Sequence, residues 1–227
     1  MQHRRPICEY VPLEGLIAYE SGVVLQRRLV EARKRGEAPD TLLLLEHSPV
    51  VTVGRGGSEN AVLVPVEALR ARGIAICETN RGGTVTYHGP GQLVGYPILD
   101  LGRLRRDVHW YLRRLEEALI LSLADFGLSA HRRKGLTGVW LPMGKVAAIG
   151  VAVRRWITMH GFALNVSCDL RPFGLIDPCG LADLGVTSMQ EALGRPVRPD
   201  EVVPAVVRAF GRVFGFRMTR ASTVAGS

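Results

Sequence analysis

The chain has 227 residues with a net charge of +8, and 47% of its residues are hydrophobic. A domain of this size buries about 70–75% of its unfolded surface, and no apolar run approaches the roughly 20 residues of a transmembrane helix. The N-terminal residues are too polar for a secretory signal, and four cysteines in a chain this long do not indicate a disulfide framework, so we expect a cytoplasmic protein.

Hydrophobic periodicity and turn residues predict the elements along the chain. In chain order these are a helix over 19–34, strands over 41–46 and 50–53, a short helix between Pro65 and Gly73, a strand over 74–78, a helix over 107–126, strands over 139–141, 145–156 and 157–166, and a helix over 200–214. Asp107 is the expected N-cap of the long helix. Residues after Arg217 are expected to form a loose tail.

The predicted strands outnumber the helices and do not alternate with them as βαβ units would. The chain is therefore predicted to be α+β, with a mixed or antiparallel sheet flanked by helices. No repeat or linker-like stretch divides it. We expect residues 1–227 to form a single domain, of which about 218–227 are a loose tail.

A glycine-rich segment, RGGTVTYHGPGQ, runs from Arg81 to Gln92. Four glycines and one proline rule out a long regular element, so the segment is a shaped loop or a strand broken by loops. Glycines let a ligand approach the backbone closely, and Arg81 and His88 add polar contacts. The spacing matches neither a Walker A loop nor a GxGxxG turn, so a nucleotide site is not indicated. A tight turn in a β-rich fold is the alternative.

Lys145 opens an apolar strand whose even positions are nearly all small, namely Val146, Ala148, Gly150 and Ala152. A sheet face of this kind leaves space for an alkyl chain. A lysine at a strand edge commonly extends its stem along apolar surface and keeps its ammonium in solvent. Only three of the 29 basic residues are lysines, however. A lysine retained here indicates a group that must lose its proton, which arginine cannot do.

Cys179 lies between Pro178 and Gly180, a setting typical of a loop. A lone cysteine is most often a small buried hydrophobe, and the other three cysteines fit that description better. Neither a CxxC pair nor an HxE or HExxH motif occurs, so a zinc site is not expected.

Four segments in family order carry a specific resemblance: RGGTVTYHGPGQLVGYPILDL (81–101), GVWLPMGKVAAIGV (138–151), MHGFALNVSCDL (159–170) and IDPCG (176–180). Together they resemble the octanoyltransferases of lipoate synthesis, also called lipoyl(octanoyl) transferases. The resemblance runs from about residue 41 to 193, and Cys168 stands where the family would have a polar residue other than cysteine. It implies the fold of the biotin and lipoate protein ligases, in a single catalytic domain.

The resemblance also implies the activity, which is transfer of an octanoyl group from acyl carrier protein to a lysine of a lipoyl domain through an acyl-cysteine. Cys179 would be the nucleophile that carries the acyl group, and Lys145 would lower the pKa of its thiol and act as acid and base. The implied substrate-binding residues are Arg81, Gly82, Gly83, Thr84, Val85, Thr86, Tyr87, His88, Ala148, Ile149, Gly150, Gly161, Phe162 and Ala163.

No cofactor is implied by this resemblance, neither ATP nor a metal, because the acyl group arrives on the phosphopantetheine of acyl carrier protein. The implied partners are that carrier, the lipoyl domains of 2-oxoacid dehydrogenase complexes and the glycine cleavage H protein. Neither nucleic acid nor a membrane is an expected partner, and the chain is expected to be a monomer. A net charge of +8 suits acidic protein partners.

The chemistry gives both predicted catalytic residues a reason. A free thiol with a pKa of about 8.5 is only a few per cent thiolate at pH 7, and a nearby ammonium favours the anion. The incoming amine must later lose a proton, which a neutral lysine can accept. Backbone N–H groups beside Gly180 or in the glycine-rich loop are candidate donors to the oxyanion.

Three alternatives stay open from the sequence. The first is an ATP-dependent lipoate or biotin ligase, which needs no cysteine nucleophile. The second is a Cys–His hydrolase or thioesterase that uses His88 or His160 as its base. The third is a regulator that binds acyl groups or carriers without catalysis.

Overall fold

The structure is a computed structural model that describes residues 5–58, 61–177 and 185–221. The strands are β1 Ile7–Ile17, β2 Asp40–His47, β3 Val50–Val53, β4 Ala75–Glu78, β5 Val85–His88, β6 Gln92–Ile98, β7 His131–Arg133, β8 Leu136–Leu141, β9 Gly144–Arg154, β10 Ile157–Asn165 and β11 Arg217–Arg220. The helices are α1 Tyr19–Arg35, α2 Val66–Arg70, α3 Leu101–Leu104, α4 Val108–Ala124, α5 Met189–Leu193 and α6 Pro199–Phe214.

The strands form two sheets. The larger has eight strands in the order β11-β1-β2-β6-β10-β9-β8-β7, and the smaller has three in the order β4-β3-β5. In the larger sheet β1 runs parallel to β11 and β2, and the other neighbours are antiparallel. Both sheets are mixed, since β3 is parallel to β4 and antiparallel to β5. The predicted α+β class with a mixed sheet is confirmed.

The run of four leucines in β2 shows how the larger sheet is covered. Leu42 and Leu44 pack with α4 and α6 in one core cluster, whereas Leu43 and Leu45 pack with α1 in a second. Successive side chains of a strand point to opposite faces. A central strand with helices on both faces therefore reads as a continuous apolar run rather than an alternating one.

The helices begin and end close to the residues that predicted their ends. The Asp107 carboxylate accepts a hydrogen bond from the Trp110 N–H at 2.9 Å and so caps α4. Gly36 adopts a left-handed conformation with φ of 75° directly after α1. Both ends supply a partner or a turn for backbone groups that have none inside the helix.

Two predictions about the strands were wrong. The expected loose tail contains β11, because buried Phe216 anchors the chain and residues 217–220 then pair with β1. Val146 does not share the face of Ala148, because a bulge opposite Val139 and Trp140 places Val146 with Ala147 in the core beneath α4. Residues 222–227 of the predicted tail lie outside the described part of the chain.

Among the described residues, no helix is long and apolar enough to cross a membrane.

Candidate active site

A cavity of about 600 Å³ lies where the smaller sheet meets β9, β10 and α4. The glycine-rich segment forms one wall, and the two strands form the floor. Leu112 of α4 and Leu136 of β8 add apolar side chains at a further wall. The cavity size suits a small ligand with an apolar body.

The wall formed by residues 81–84 is held by hydrogen bonds to both sheets. The Arg81 guanidinium donates to the carbonyl oxygen of Thr52 at 2.7 Å and to its hydroxyl at 2.8 Å. On the other side, the Gly82 N–H donates to the Val151 carbonyl of β9 at 2.9 Å. Buried Arg81 thus fixes the loop to the smaller sheet, while Gly82 fixes it to the larger one.

The floor of the cavity includes four small residues on two neighbouring strands. Gly150 lies opposite Gly161, and Ala148 lies opposite Ala163. A side chain at Gly150 would place its Cβ 2.8 Å from the Gly82 carbonyl oxygen. The small face therefore serves two purposes, because it lets the glycine loop approach β9 and leaves the neighbouring space open.

A chain of buried side-chain hydrogen bonds runs behind the loop. The Gln92 amide donates to the Asn165 side-chain oxygen at 2.9 Å, and the Asn165 amide donates to the Thr187 carbonyl at 3.0 Å. Because the Gln92 side-chain nitrogen donates to Asn165, its side-chain oxygen faces His88 and accepts a hydrogen bond from the His88 Nδ1–H at 2.7 Å. His88 is therefore held as the Nδ1–H tautomer, and burial lowers its pKa to about 3.

Histidine and tyrosine side chains close one end of the cavity. His160 donates its Nε2–H to the Asn80 oxygen at 2.7 Å, and burial lowers its pKa to about 4 with a contribution from Arg81. His47 lies behind this end and accepts from the Tyr96 hydroxyl at 2.6 Å. Burial also lowers the pKa of His47, so these rings are neutral at pH 7.

Lys145 lies on the cavity wall at the start of β9. Its backbone N–H donates to the Gly185 carbonyl at 3.1 Å, and its carbonyl accepts from the Thr187 N–H at 3.0 Å. The Lys145 ammonium lies 4.9 Å from the centre of the Trp140 ring. A Cβ at Gly138 would lie 2.8 Å from the Ala147 carbonyl oxygen, so the close pairing of β8 with β9 beside Lys145 requires glycine there.

Glu116, which is fully buried, supports the same corner from α4. Its carboxylate accepts from the Gly138 N–H at 3.1 Å, from Arg113 at 2.6 Å and from Arg132 at 3.0 Å. Two arginines and a backbone donor satisfy a charge that would be costly to bury alone. This arrangement fixes the backbone of β8 beside Lys145.

The predicted nucleophile, Cys179, lies outside the described residues. The chain on either side of residues 178–184 is anchored, because the Asp177 N–H donates to the Ala61 carbonyl at 2.8 Å and Gly185 bonds to Lys145. Gly185 and Val186 line the cavity.

The described cysteines have features that do not favour reactivity. Burial raises the pKa of Cys168 to about 12 and that of Cys8 well above its usual range. At half-buried Cys77, burial and the nearby Glu20 carboxylate raise the pKa to about 12. All three are protonated thiols at neutral pH.

Thirteen of the fourteen predicted substrate-binding residues line the cavity, as does Lys145. Tyr87 is the exception, since it packs in the core of the smaller sheet with its ring perpendicular to Phe173. Its neighbours Thr86 and His88 face the cavity because side chains alternate along β5.

Several residues of the site were not predicted as such. Tyr19, Tyr96, Asn165 and Trp140 line the cavity, and Gln92 was predicted only as the end of the glycine-rich segment. Asn165 could have been identified from the sequence, because it is a polar residue at the end of the mainly apolar strand β10. The two tyrosines carry no comparable signal, because they come from separate elements that meet only in the fold.

Comparison with known proteins identifies the family. Residues 18–211 match the family model of the lipoyl protein ligase A/B catalytic domain. An octanoyltransferase of Geobacter metallireducens is 52% identical over 196 residues, which make up 86% of this chain and 89% of that protein. The chain belongs to the octanoyltransferase family. It is therefore an acyltransferase, as the four sequence segments predicted.

Solved structures show where the octanoyltransferase fold stands among known folds. A structure of a bipartite lipoate protein ligase and its E2 lipoyl domain from Thermoplasma acidophilum matches with a TM-score of 0.73 and 20% identity, over 98% of this chain and 89% of that one. Biotin protein ligase of Aquifex aeolicus matches with a TM-score of 0.51 and 14% identity, over 91% and 69%. At these identities the likeness is one of fold, and it confirms the predicted relation to both ligase folds.

Proposed function

We propose that the chain transfers an octanoyl group from acyl carrier protein to a lysine of a lipoyl domain, with Cys179 as the transient acyl carrier and Lys145 as its acid and base. The observation that carries this proposal is the position of Lys145. It lies on the wall of a cavity with a small, apolar floor, and its backbone is bonded to Gly185. Five residues separate Gly185 from Cys179, and the six Cα–Cα steps between them span at most about 20 Å, so we propose that the thiol comes within reach of the ammonium.

The proposed reaction has two balanced steps. In the first, the Cys179 thiolate attacks the thioester carbonyl, the bond to the pantetheine sulfur breaks, and that sulfur leaves with a proton from the Lys145 ammonium, which becomes neutral. In the second, the acceptor amine attacks the acyl-cysteine, the new C–N bond forms, and the Cys179 sulfur leaves. The amine proton passes to Lys145 in its neutral form. A thioester becomes an amide, which is downhill, so we propose that the reaction needs neither ATP nor a metal.

The polar groups of the cavity support acyl transfer over a Cys–His hydrolase. His88 has its Nδ1 proton committed to Gln92, and its pKa is lowered to about 3 by burial. His160 donates to Asn80, and its pKa is lowered to about 4. A base with so low a pKa removes a thiol proton poorly at pH 7. Lysine is the remaining described candidate on the cavity wall.

The nucleophile is tested by mass spectrometry of the intact protein after incubation with octanoyl-acyl carrier protein and no acceptor. We expect one octanoyl adduct in the wild type and none in Cys179→Ala. An adduct that survives in Cys179→Ala would move the acyl site to another residue. Activity of that variant with free octanoate and ATP would instead indicate a ligase.

The role of Lys145 is tested by Lys145→Arg, which keeps the positive charge but cannot release a proton at neutral pH. Loss of an acid–base group typically costs about 10²- to 10⁴-fold in rate, and we expect a loss in that range. Lys34→Arg is the matched control, because Lys34 lies on α1 in an ion pair with Glu31. Turnover of Lys145→Arg within threefold of the control would refute the proton transfer.

We further propose that the described residues are one catalytic domain that acts as a cytoplasmic monomer. Sedimentation at micromolar concentration tests the monomer directly.

A further inference from the structure

A concentration of positive charge borders the cavity on one side. Four cations are Arg113 of α4, Arg132 and Arg133 of β7, and Lys134 of the β7–β8 turn. Four more arginines lie on α3, on the segment that follows it and on α4, namely Arg103, Arg105, Arg106 and Arg114. We call these eight cations the basic rim. Four described carboxylates accompany these eight cations, those of Asp100, Asp107, Glu116 and Glu117, and Asp100 pairs with Arg33 outside the group. The surplus of +4 is half of the chain's net charge of +8.

Ion pairs neutralise only part of this charge. Arg113 and Arg132 bind Glu116, Arg132 also binds Glu117, and Arg105 pairs with Asp107. Within the described part of the chain, Arg103, Arg106, Arg114, Arg133 and Lys134 have no carboxylate within ion-pair distance. All but Arg133 are exposed. The surplus charge therefore faces solvent.

The basic rim is continuous with the wall of the cavity. Directly after Lys134, the residues Gly135, Leu136 and Thr137 line the cavity, as do Val108 and Leu112 from the helix that carries Arg113. The Arg133 guanidinium lies 4.3 Å from the centre of the Trp140 ring, and the Lys145 ammonium lies 4.9 Å from the same point. The two cations are therefore no more than the sum of these distances apart. A molecule bound at Arg133 is therefore close to Lys145 on the cavity wall.

We propose that the basic rim is the docking surface for the acyl donor, an acidic carrier protein whose acyl group is attached to a phosphopantetheine arm. The proposal rests on the proposed function and adds where the donor binds. Acidic side chains of the carrier would face the unpaired arginines, and the arm's phosphodiester would lie near Arg133 and Lys134. The arm would then enter the cavity between α4 and β8.

The sign of the charge favours the donor over the acceptor at this surface. The donor arm carries an anionic phosphodiester, which the rim attracts. The acceptor presents a lysine that arrives as a cation and is repelled by the same charges. Complementary charge also speeds association with an acidic partner, and the effect weakens as salt rises.

The test is the double substitution Lys134→Glu/Arg106→Glu, which reverses two exposed cations that have no described ion pair. Its control is Arg28→Glu/Arg70→Glu, which changes the net charge equally on α1 and α2, away from the rim. We expect the KM for octanoyl-acyl carrier protein to rise about tenfold in the rim variant, in line with about 1.4 kcal/mol, and to change less than threefold in the control. The rise should shrink as salt increases.

A small thioester donor separates this proposal from the proposed function. With S-octanoyl pantetheine, which has no phosphate, the rim variant should keep the kcat and KM of the wild type. Complete absence of transfer from that donor in the wild type would overturn the proposed function. Normal transfer with an unchanged KM for the carrier in the rim variant would overturn only the docking surface.

Three further outcomes would also overturn the docking surface. A raised KM for the lipoyl domain alone would assign the rim to the acceptor. An equal rise in KM for octanoyl-phosphopantetheine would show that the rim binds the phosphate without the carrier. Loss of tRNA binding with an unchanged donor KM would identify nucleic acid as the partner.

Discussion

The close approach of the glycine loop to β9 predicts that Gly150→Ala impairs the enzyme while Gly82→Ala does not. Both glycines lie at the same contact. A Cβ on Gly150 would lie 2.8 Å from the Gly82 carbonyl oxygen and 3.2 Å from the Arg81 Cδ, whereas a Cβ on Gly82 would lie 3.4 Å from the Val151 carbonyl oxygen. The first distance forces a backbone shift, and the second is an ordinary contact.

The expected magnitude follows from what the shift disturbs. Overpacking costs about 1–3 kcal/mol, and displacement of the loop weakens the hydrogen bond between Gly82 and Val151, worth about 1 kcal/mol. If this net cost of about 2 kcal/mol arises from misplacement of the acyl group in the cavity, kcat/KM should decrease roughly 30-fold. If it falls on folding instead, the Tm drops by about 4–8 °C.

The assay therefore measures kcat/KM with octanoyl-acyl carrier protein and the Tm for each variant. Gly174→Ala is the control, because a Cβ there meets nothing within 4 Å. An alanine in a strand interior is otherwise favoured over glycine by about 0.5–1 kcal/mol. A Gly150→Ala variant with normal kcat/KM and an equal or higher Tm would refute the requirement for a close approach.

Three further predictions concern protonation and the support of the lysine. Iodoacetamide at pH 7 should label Cys179 first, because burial keeps the described thiols protonated, and equal labelling of the other cysteines would contradict this. Since folded His88 has a pKa of about 3 and an unfolded histidine about 6.5, the unfolded state binds the extra proton between those values. Stability should then fall as the pH drops from about 6.5, by up to about 1.4 kcal/mol per pH unit, and urea titrations should show a shallower dependence in His88→Asn but not in exposed His131→Asn. Trp140→Leu should lower the single-turnover acylation rate about tenfold, within the range of a desolvated cation–π contact to Lys145, while Trp140→Phe keeps a ring and most of the rate; equal rates would show that the ring does not hold the lysine.

Local patterns predicted the longer helices and most of the inner strands, but not β6, which lies between β2 and β10. The long helix was predicted over 107–126 and is observed as Val108–Ala124, because its cap and apolar stripe are encoded within the helix itself. β1 and β11 were not predicted as strands. β1 contains Pro12, Glu14 and Gly15, and it is stabilised by pairing with β2 and β11, which lie far away in sequence. Their partners, rather than their own residues, make them strands.

The site was predicted to a different extent in each of its parts. The glycine loop and the small strand face could be inferred from composition, because a close approach requires glycine wherever it occurs. The resemblance supplied the roles of Lys145 and Cys179, and these remain proposals. The end of the cavity formed by Tyr19, Tyr96 and His160 could not be predicted, because the three residues belong to α1, β6 and β10 and meet only when both sheets have formed.

The glycine loop makes the cavity dependent on how the two sheets pack together. Arg81 donates to the hydroxyl and carbonyl oxygens of Thr52 of β3 in the smaller sheet, and the next residue donates to Val151 of β9 in the larger sheet. A change that separated the sheets by even the length of one hydrogen bond would break one of these links and move the wall away from Gly150. The cavity therefore depends on a few short contacts between the sheets, and substitutions at Thr52 or Gly150, neither of which is proposed to react, should alter acyl transfer.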